Sequence, residues 1–357
     1  MLIDSQYAAN SNSDNWAIQS ELWIAELPKL QKARLRRQRN PNPLILAGHG
    51  ISLQIDKGTL AIKEGFTHHP QKQIEQRYFK GDLELPRIII LLDGSGSLSF
   101  DVLSWLSEQG VSLVRIKYDG SIAIVAGAGF RVNPEKLKWQ FELQSNEVKR
   151  IEFAKELIAQ KLLNCAATLK SQFEPSERRT KAIAKNTNGA AQLTSGRFSN
   201  MGEIRAIEGE AAAAYFSIWS AITMQWTAQS RYPVPKSWQH YLSRSSPLTG
   251  KLPKNKNAAH PVNAMLNYAY AAKASQLQIK AIGDGYDPYS GIMHHARDDF
   301  PAYVYDIIEP ERPKVDATIL AFAQSRTFSG ADFILCKDGV CRLSPQLARV
   351  VALLVSG

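Results

Sequence analysis

The spacing of apolar residues changes once along this chain, near Pro134, and that change limits the fold to an α+β class. Before Pro134, short apolar runs of strand character recur at 44–46, 51–55, 59–63, 87–92, 112–118 and 122–125, broken by glycine and aspartate. Asp56-Lys57-Gly58 and Tyr118-Asp119-Gly120 read as hairpin turns, and one helix over 99–108 opens on Ser99 and closes at Gly110. After Pro134 the apolar residues recur at three and four. Ile151, Ala154, Leu157, Ile158, the Lys161 stem, Leu162 and Cys165 trace one face of a helix over 147–169. The same period runs through 203–230, 261–276 and 315–326, while polar 170–199 reads as a loop or a weak helix. The expected architecture is a small, mostly-β domain over 44–130 and a larger α-helical domain over 131–357. A basic N-terminal extension, 1–43, precedes them and ends on the turn-rich Asn40-Pro41-Asn42-Pro43. A length of 357 residues fits two domains.

Charge narrows the partners. Lys and Arg number 43 against 33 Asp and Glu, a formal net charge of +10, which suits a polyanion such as nucleic acid or an anionic membrane surface. No apolar run approaches the ~20 residues of a membrane span, and Met-Leu-Ile-Asp-Ser-Gln at the start lacks the basic and apolar regions of a secretory signal. With only 3 cysteines, a reducing, cytoplasmic location without membrane attachment is expected. Residues 28–43 hold six cations and no acid, and 231–260 hold another six, Arg231, Lys236, Arg244, Lys251, Lys254 and Lys256, again with none. Residues 298–316 reverse the balance, with six acids against Arg312 and Lys314. Cationic stretches suit phosphate contact, and an acidic knot beside histidines suits a divalent cation.

Several motifs compete for that role. Asp93-Gly94-Ser95-Gly96-Ser97 offers hard oxygen ligands after an apolar strand and resembles the metal-dependent adhesion site of von Willebrand factor A domains. The helices that follow do not suit that fold, so a Gly/Ser loop joining a strand to the Ser99 helix is the preferred reading. Cys336 and Cys341 read as strand residues flanking an Asp338-Gly339 turn rather than half of a zinc site. His68 and His69 read as surface residues of a polar loop. Glu208 lies at the edge of an apolar stripe, Ile204, Ile207, Ala211, Ala214 and Tyr215, where a carboxylate is costly unless paired or metal-bound; alone, it reads as a helix-surface glutamate. His294 and His295 follow a Gly/Pro-rich loop, and Asp306 and Glu309 share one face of a helical turn. Imidazole with two carboxylates suits magnesium or manganese, although a solvated acidic helix end would look the same.

Four segments carry a resemblance by their order: 204–216 around Ile207-Glu208-Gly209, 260–270 around His260-Pro261-Val262-Asn263, 287–294 ending on His294, and Tyr305-Asp306-Ile307-Ile308-Glu309. Together they resemble the CRISPR-associated endonuclease/integrase family, the larger subunit of the complex that inserts spacers into CRISPR arrays. The resemblance implies an N-terminal β domain, an α-helical catalytic domain, and a metal-dependent DNA nuclease that is also a transesterase. It implies Glu208, His294 and Glu309 as ligands of Mg2+ or Mn2+, with Asp306 orienting His294 or a ligand water. It further implies a homodimer that binds DNA and flanks a small dimeric partner subunit. Two departures stand out. Pro310 follows Glu309 where the family usually continues its helix, so either a new turn begins there or Glu309 is displaced and Asp306 is the third ligand. His260 stands where an aspartate is common.

The expected chemistry is attack by a 3′-hydroxyl on a phosphodiester at a repeat boundary, displacing another 3′-oxygen; with water as nucleophile, the same site would hydrolyse DNA. Arg231, Lys236, Arg244, Lys251, Lys254 and Lys256 are the expected phosphate contacts near the catalytic face, which position DNA without reading bases. The alternatives are a catalytically impaired, DNA-binding scaffold of the same family and an adhesion module built on Asp93, Ser95 and Ser97.

Overall fold

A computed structural model describes residues 15–69, 71–117, 122–126, 133–244, 257–294 and 300–356. Its sheet forms from β1 (Leu44–Asp56), β2 (Thr59–Lys63), β3 (Glu75–Tyr78), β4 (Ile88–Leu98), β5 (Ser112–Ile116) and β6 (Ile122–Ala126), in the order β3-β2-β1-β4-β5-β6. β4 runs parallel to β1 and β5, and the remaining pairs are antiparallel. The Asp56-Lys57-Gly58 turn closes the β1–β2 hairpin, with Lys57 and Gly58 both at positive φ, 49° and 78°.

The central strands read as unbroken apolar runs because both of their faces are buried. Leu46, Ile89 and Leu113 pack against Val102, Trp105 and Leu106 of α2 (Phe100–Glu108). On the opposite face, Ile45, Ala47, Ile90, Leu92, Val114 and Ile116 enter one core with the helices of the second half. The strand-rich and helix-rich halves therefore share an apolar interior.

The helical half comprises α3 (Pro134–Ser145), α4 (Glu147–Gln172), α5 (Glu177–Ser195), α6 (Met201–Ser217), α7 (Pro261–Gly283), α8 (Ala302–Ile307), α9 (Arg312–Ser325) and α10 (Pro345–Leu354). α7 is buried along most of its length, as its alanine-rich sequence allows, and α4 packs against α5, α6 and α9. Residues 170–199, open between loop and weak helix, form the end of α4 and the whole of α5, with Asn186 and Gly189 buried.

Five expectations change. β3 joins the sheet although Glu75-Gln76-Arg77-Tyr78 carries no apolar run, as an edge strand can. β4 continues through Asp93-Gly94-Ser95-Gly96-Ser97, so that motif is strand, neither a loop nor an adhesion loop. Its glycines admit the neighbouring strand: a Cβ on Gly94 would stand 2.3 Å from the Gly48 carbonyl oxygen, and one on Gly96 1.9 Å from that of Ile51. The helix expected to reach 230 stops at Ser217 and gives way to a 3₁₀ turn and β7 (Gln225–Thr227), which pairs with β8 (Thr327–Ser329). The ring of His68 is not a surface group: its side chain is 0% exposed, and Nε2 lies 2.7 Å from Glu21. His69 is exposed.

The fifth change concerns the segment read as an extension. Residues Asn15–Leu30 form α1, and its Trp23, 4% exposed, packs among Phe322 and Phe328 at ring separations of 5.6 and 5.8 Å. The basic run that starts in its last turn is partly engaged within the protein: Lys29 pairs with Glu26, Arg34 with Glu84, and Arg39 donates to the carbonyls of Leu85 and Gln109. The cysteine reading holds for Cys341 but not fully for Cys336: β9 (Phe333–Leu335) and β10 (Cys341–Leu343) form a hairpin with Gly339 at positive φ and both thiols free, and Cys336 lies one residue past β9. The Tyr118-Asp119-Gly120 turn lies outside the described residues.

Candidate active site

Three elements distant in sequence meet around one cavity of about 270 Å³. α6 contributes Glu208, the loop after α7 contributes His294, and the turn between α8 and α9 contributes Glu309. Lys161, Arg205, Arg244 and Arg312 line it too, so carboxylates and cations face each other across a space of small-ligand size.

His294 is aimed from two sides. Gln140 of α3 is fully buried and bonds the loop backbone at Asp287 and Ser290, while Gln144 donates to the Gly291 carbonyl at 2.7 Å. Gly291 is required there, because a Cβ would fall 2.4 Å from that of Ala302 and 2.6 Å from the His294 carbonyl oxygen. From the other side, Asp306, 0% exposed, accepts the backbone N–H groups of Ile292, Met293 and His294 at 2.5, 3.0 and 3.0 Å. Its Oδ1 also lies 2.7 Å from His294 Nδ1. That contact assigns the proton to Nδ1 and leaves the Nε2 lone pair for a ligand.

Glu309 owes its position to Pro310. α8 ends at Ile307, and α9 begins at Arg312 with Pro313 in its first turn, so Pro310 sits between helices, where its missing N–H costs little. α4 grips this corner: Asn164 donates to the Pro310 carbonyl and Thr168 to that of Pro313, each at 2.7 Å. The Glu309 carboxylate, in a residue only 6% exposed, then reaches Lys161 Nζ at 2.5 Å and Arg312 Nε at 2.9 Å. Glu208 Oε1 meets the same Lys161 ammonium, also at 2.5 Å. Burial works to raise the Glu309 pKa, but Arg312 and Lys161 outweigh it and hold the carboxyl below its usual range. Burial likewise opposes the charge on Lys161, and Glu309 and Glu208 keep its pKa above the usual lysine value.

Residues 44–355 match the family model described as CRISPR associated protein Cas1. The chain belongs to the CRISPR-associated Cas1 family. Among its relatives, a CRISPR-associated protein Cas1 from Methanobrevibacter ruminantium is 28% identical over 282 residues, 74% of this chain and 77% of that protein. A CRISPR-associated endonuclease Cas1 from Pyrobaculum aerophilum is 24% identical over 326 residues, 88% of this chain and 95% of that one. Among solved structures, a casposase bound to integration product aligns at TM-score 0.72 and 23% identity, covering 88% of this chain and 82% of the casposase. A Cas6-RT-Cas1–Cas2 complex aligns at TM-score 0.65 and 17% identity, covering 91% of this chain and 33% of that one. The two structural likenesses bear on the fold.

Within this Cas1 fold, the residues singled out from sequence separate. Glu208, His294 and Glu309 line the cavity; Asp306 lies behind His294 and does not. Glu309 keeps its place in the cavity lining despite Pro310. Of the six basic residues, Arg244 lines the cavity and donates to Asn267 at 2.9 Å. Arg231 and Lys236 are exposed, in a turn and a 3₁₀ turn (Lys236–Trp238). Lys251, Lys254, Lys256 and His295 lie outside the described residues. His260 caps α7: Nδ1 accepts the Val262 N–H at 3.2 Å, Nε2 faces the Trp238 carbonyl, and burial lowers its pKa to about 4, so it is neutral and structural.

Sequence reasoning missed Lys161, Arg312, Tyr270 and Asp316. Arg244 and Arg312 lie 5.5 and 5.2 Å from the Tyr270 ring centroid, within cation–π reach. The Tyr270 hydroxyl donates to Asp316, as does that of Tyr215 at 2.9 Å. Burial raises the Asp316 pKa to about 6, against the pull of those two donors. The available signal was Lys161 itself, a cation inside the apolar stripe of α4 that requires a buried counter-charge.

Among the described residues, no three His, Cys, Asp or Glu side chains stand together closely enough to hold a metal ion. The cation between Glu208 and Glu309 is Lys161. Two carboxylates with a free imidazole Nε2 nonetheless suit Mg2+ or Mn2+. Oxygens each 2.5 Å from one nitrogen are at most about 5 Å apart, against about 4 Å across an ion with 2.0–2.1 Å bonds, so the two carboxylates stand near the spacing that one ion would require of them.

Proposed function

We propose that this chain is a metal-dependent DNA endonuclease and integrase that inserts short DNA fragments into a CRISPR array by transesterification at repeat boundaries. The observation that carries this reading is the convergence of Glu208, His294 and Glu309, from three separate elements, on one cavity lined by Arg205, Arg244 and Arg312. The family and the casposase with its integration product support it.

In this reading Glu208, His294 through Nε2, and Glu309 hold Mg2+ or Mn2+. When bound, that ion polarises the phosphoryl oxygen and offsets charge on the attacking and leaving oxygens. The arginines pair with phosphates of the DNA and hold the scissile bond in the cavity. Asp306 keeps the imidazole in the tautomer that presents Nε2. The 3′-hydroxyl oxygen of the incoming strand bonds to phosphorus as the P–O3′ bond of the target strand breaks; the proton lost by the former balances the one gained by the latter. Water in place of the 3′-hydroxyl gives hydrolysis.

The assembly we infer is a homodimer flanking a small dimeric adaptation subunit, supported by the family and by the Cas1–Cas2 complex. The inferred location is the cytoplasm. Among the described residues, no helix is long and apolar enough to cross a membrane.

Joining of a linear duplex with free 3′-hydroxyls to a supercoiled plasmid carrying a CRISPR repeat, with Mn2+, tests the reading. Wild type should yield joined product, and Glu208→Ala and His294→Ala should lose it. Equal product from all three proteins refutes the site.

A further inference from the structure

Lys161 stands where the proposed ion would stand. It projects from the middle of α4, and its ammonium contacts Glu208 Oε1 and Glu309 Oε2 at 2.5 Å each, with its side chain only 16% exposed. Those two oxygens belong to proposed ligands on different elements, so one ammonium bridges both, offsets one of their two charges and holds them near the spacing an ion would impose. An ammonium and a divalent cation cannot share one carboxylate pair, because like charges a few ångströms apart in a buried site repel strongly. Entry of the ion therefore requires the lysine to leave.

The place it can go is defined by the same cavity. Lysine is a point charge on a flexible four-carbon stem, able to turn without moving its helix. Leaving the carboxylates, the ammonium needs another anion, and Arg205 and Arg244 line the same cavity, whereas Arg312 is held by Glu309. A DNA phosphate meets that requirement.

On the proposed reading of the cavity as a metal and DNA site, we infer that Lys161 is a displaceable counterion that couples metal loading to DNA binding. Without DNA, the lysine competes with the divalent cation for Glu208 and Glu309. With DNA, a phosphate takes up the ammonium and frees the carboxylates, so the metal binds more tightly. By linkage, the metal raises the affinity for DNA by the same factor. The pairing discourages a loaded site in the absence of substrate.

The test is titration of the metal-free full chain with Mn2+, read from the electron paramagnetic resonance signal of the free ion. It is run with and without a duplex whose 3′ ends are dideoxy-terminated, so that no strand transfer occurs. In wild type, DNA should tighten Mn2+ binding on the order of 10-fold. Lys161→Met should bind Mn2+ on the order of 10-fold more tightly than wild type without DNA, and its gain on adding DNA should shrink by a similar factor. Lys161→Arg keeps a competing cation and should resemble wild type, which also guards against a Met variant that fails to fold. Glu208→Gln should bind Mn2+ poorly in every condition. If wild type binds Mn2+ and Lys161→Met binds it equally or less tightly while melting cooperatively, the coupling role is overturned and the metal site stands. If wild type binds no Mn2+, or Glu208→Gln binds as well as wild type, the metal-site reading falls and the coupling with it.

Discussion

Glu309 and Asp332 are both buried carboxylates, 6% and 0% exposed, yet their surroundings drive them in opposite directions. Burial disfavours the charge at each. At Glu309 the formal charges of Arg312 and Lys161 overcome that penalty, and the carboxyl stays ionised below its usual range. At Asp332 the donors are neutral, the Trp23 Nε1–H at 2.6 Å and the Ser329 N–H at 2.7 Å, and burial raises the pKa to about 7. Asp332 closes a capping box with Ser329 on a 3₁₀ turn (Gly330–Asp332) and ties α1 to it through Trp23. A buried acid is thus not in itself a site. Counter-cations supplied by other elements distinguish the cavity from the fastening of α1.

The widest separation between the two regions should come from removing one charge from the cavity. In EDTA, Glu309→Gln should lower stability at pH 7 by about 3–5 kcal/mol, the range for losing one partner of a buried ion pair, because Glu208 still faces Lys161 but Arg312 loses its carboxylate. Since the Glu309 pKa is lowered by folding, its stabilisation is present above the unfolded value of 4.5 and is lost as pH falls through the folded value. The deficit of the variant should therefore narrow below about pH 4.5. Urea denaturation at pH 7 and pH 4 measures it, and a deficit unchanged between them would show that the ion pairs do not set the state of Glu309. Asp306→Asn should act less on stability than on chemistry. An amide cannot accept three backbone N–H groups and an imidazole N–H together, so His294 loses its anchor, with roughly 10–100-fold weaker Mn2+ binding and strand transfer. Strand transfer at the wild-type rate would deny Asp306 its orienting role.

This contrast also shows what was legible in the sequence. β4, β5 and the α4 stripe were readable because a strand buried on both faces and an amphipathic helix leave local periods. β3 was not, because an edge strand of Glu75, Gln76, Arg77 and Tyr78 is held by backbone pairing with β2 and leaves no apolar pattern. The helix past Ser217 was over-read because Ile218, Trp219 and Ile222 continue the apolar content while the backbone turns aside into the same core. Glu208, His294 and Glu309 were found through the order of their segments. Lys161 and the significance of Trp23 were not, since the partners of Lys161 are 47 and 148 residues away and that of Trp23 is 309 away. A lysine in an apolar stripe signals that a partner exists without saying where it lies.

The subtlest prediction concerns Asp332→Asn, which should have the opposite pH slope to Glu309→Gln. The folded pKa of Asp332 is raised from 3.8 to about 7, so the stability linked to its protonated form is full below 3.8 and is lost as pH rises to about 7. The amide has no such loss. Its oxygen can still accept the Trp23 N–H, but its NH2 then faces the Ser329 N–H, a fixed penalty that pH does not alter. On top of that offset, stability of the variant relative to wild type should improve by about 1.4 kcal/mol from pH 6 to pH 8, most of it below pH 7, at about 1.4 kcal/mol per pKa unit. Denaturation of both proteins across that range measures the slope. Opposite slopes for the two isosteric substitutions would establish that cations separate the cavity from the α1 fastening; parallel slopes would break the comparison, because burial alone would then govern both acids.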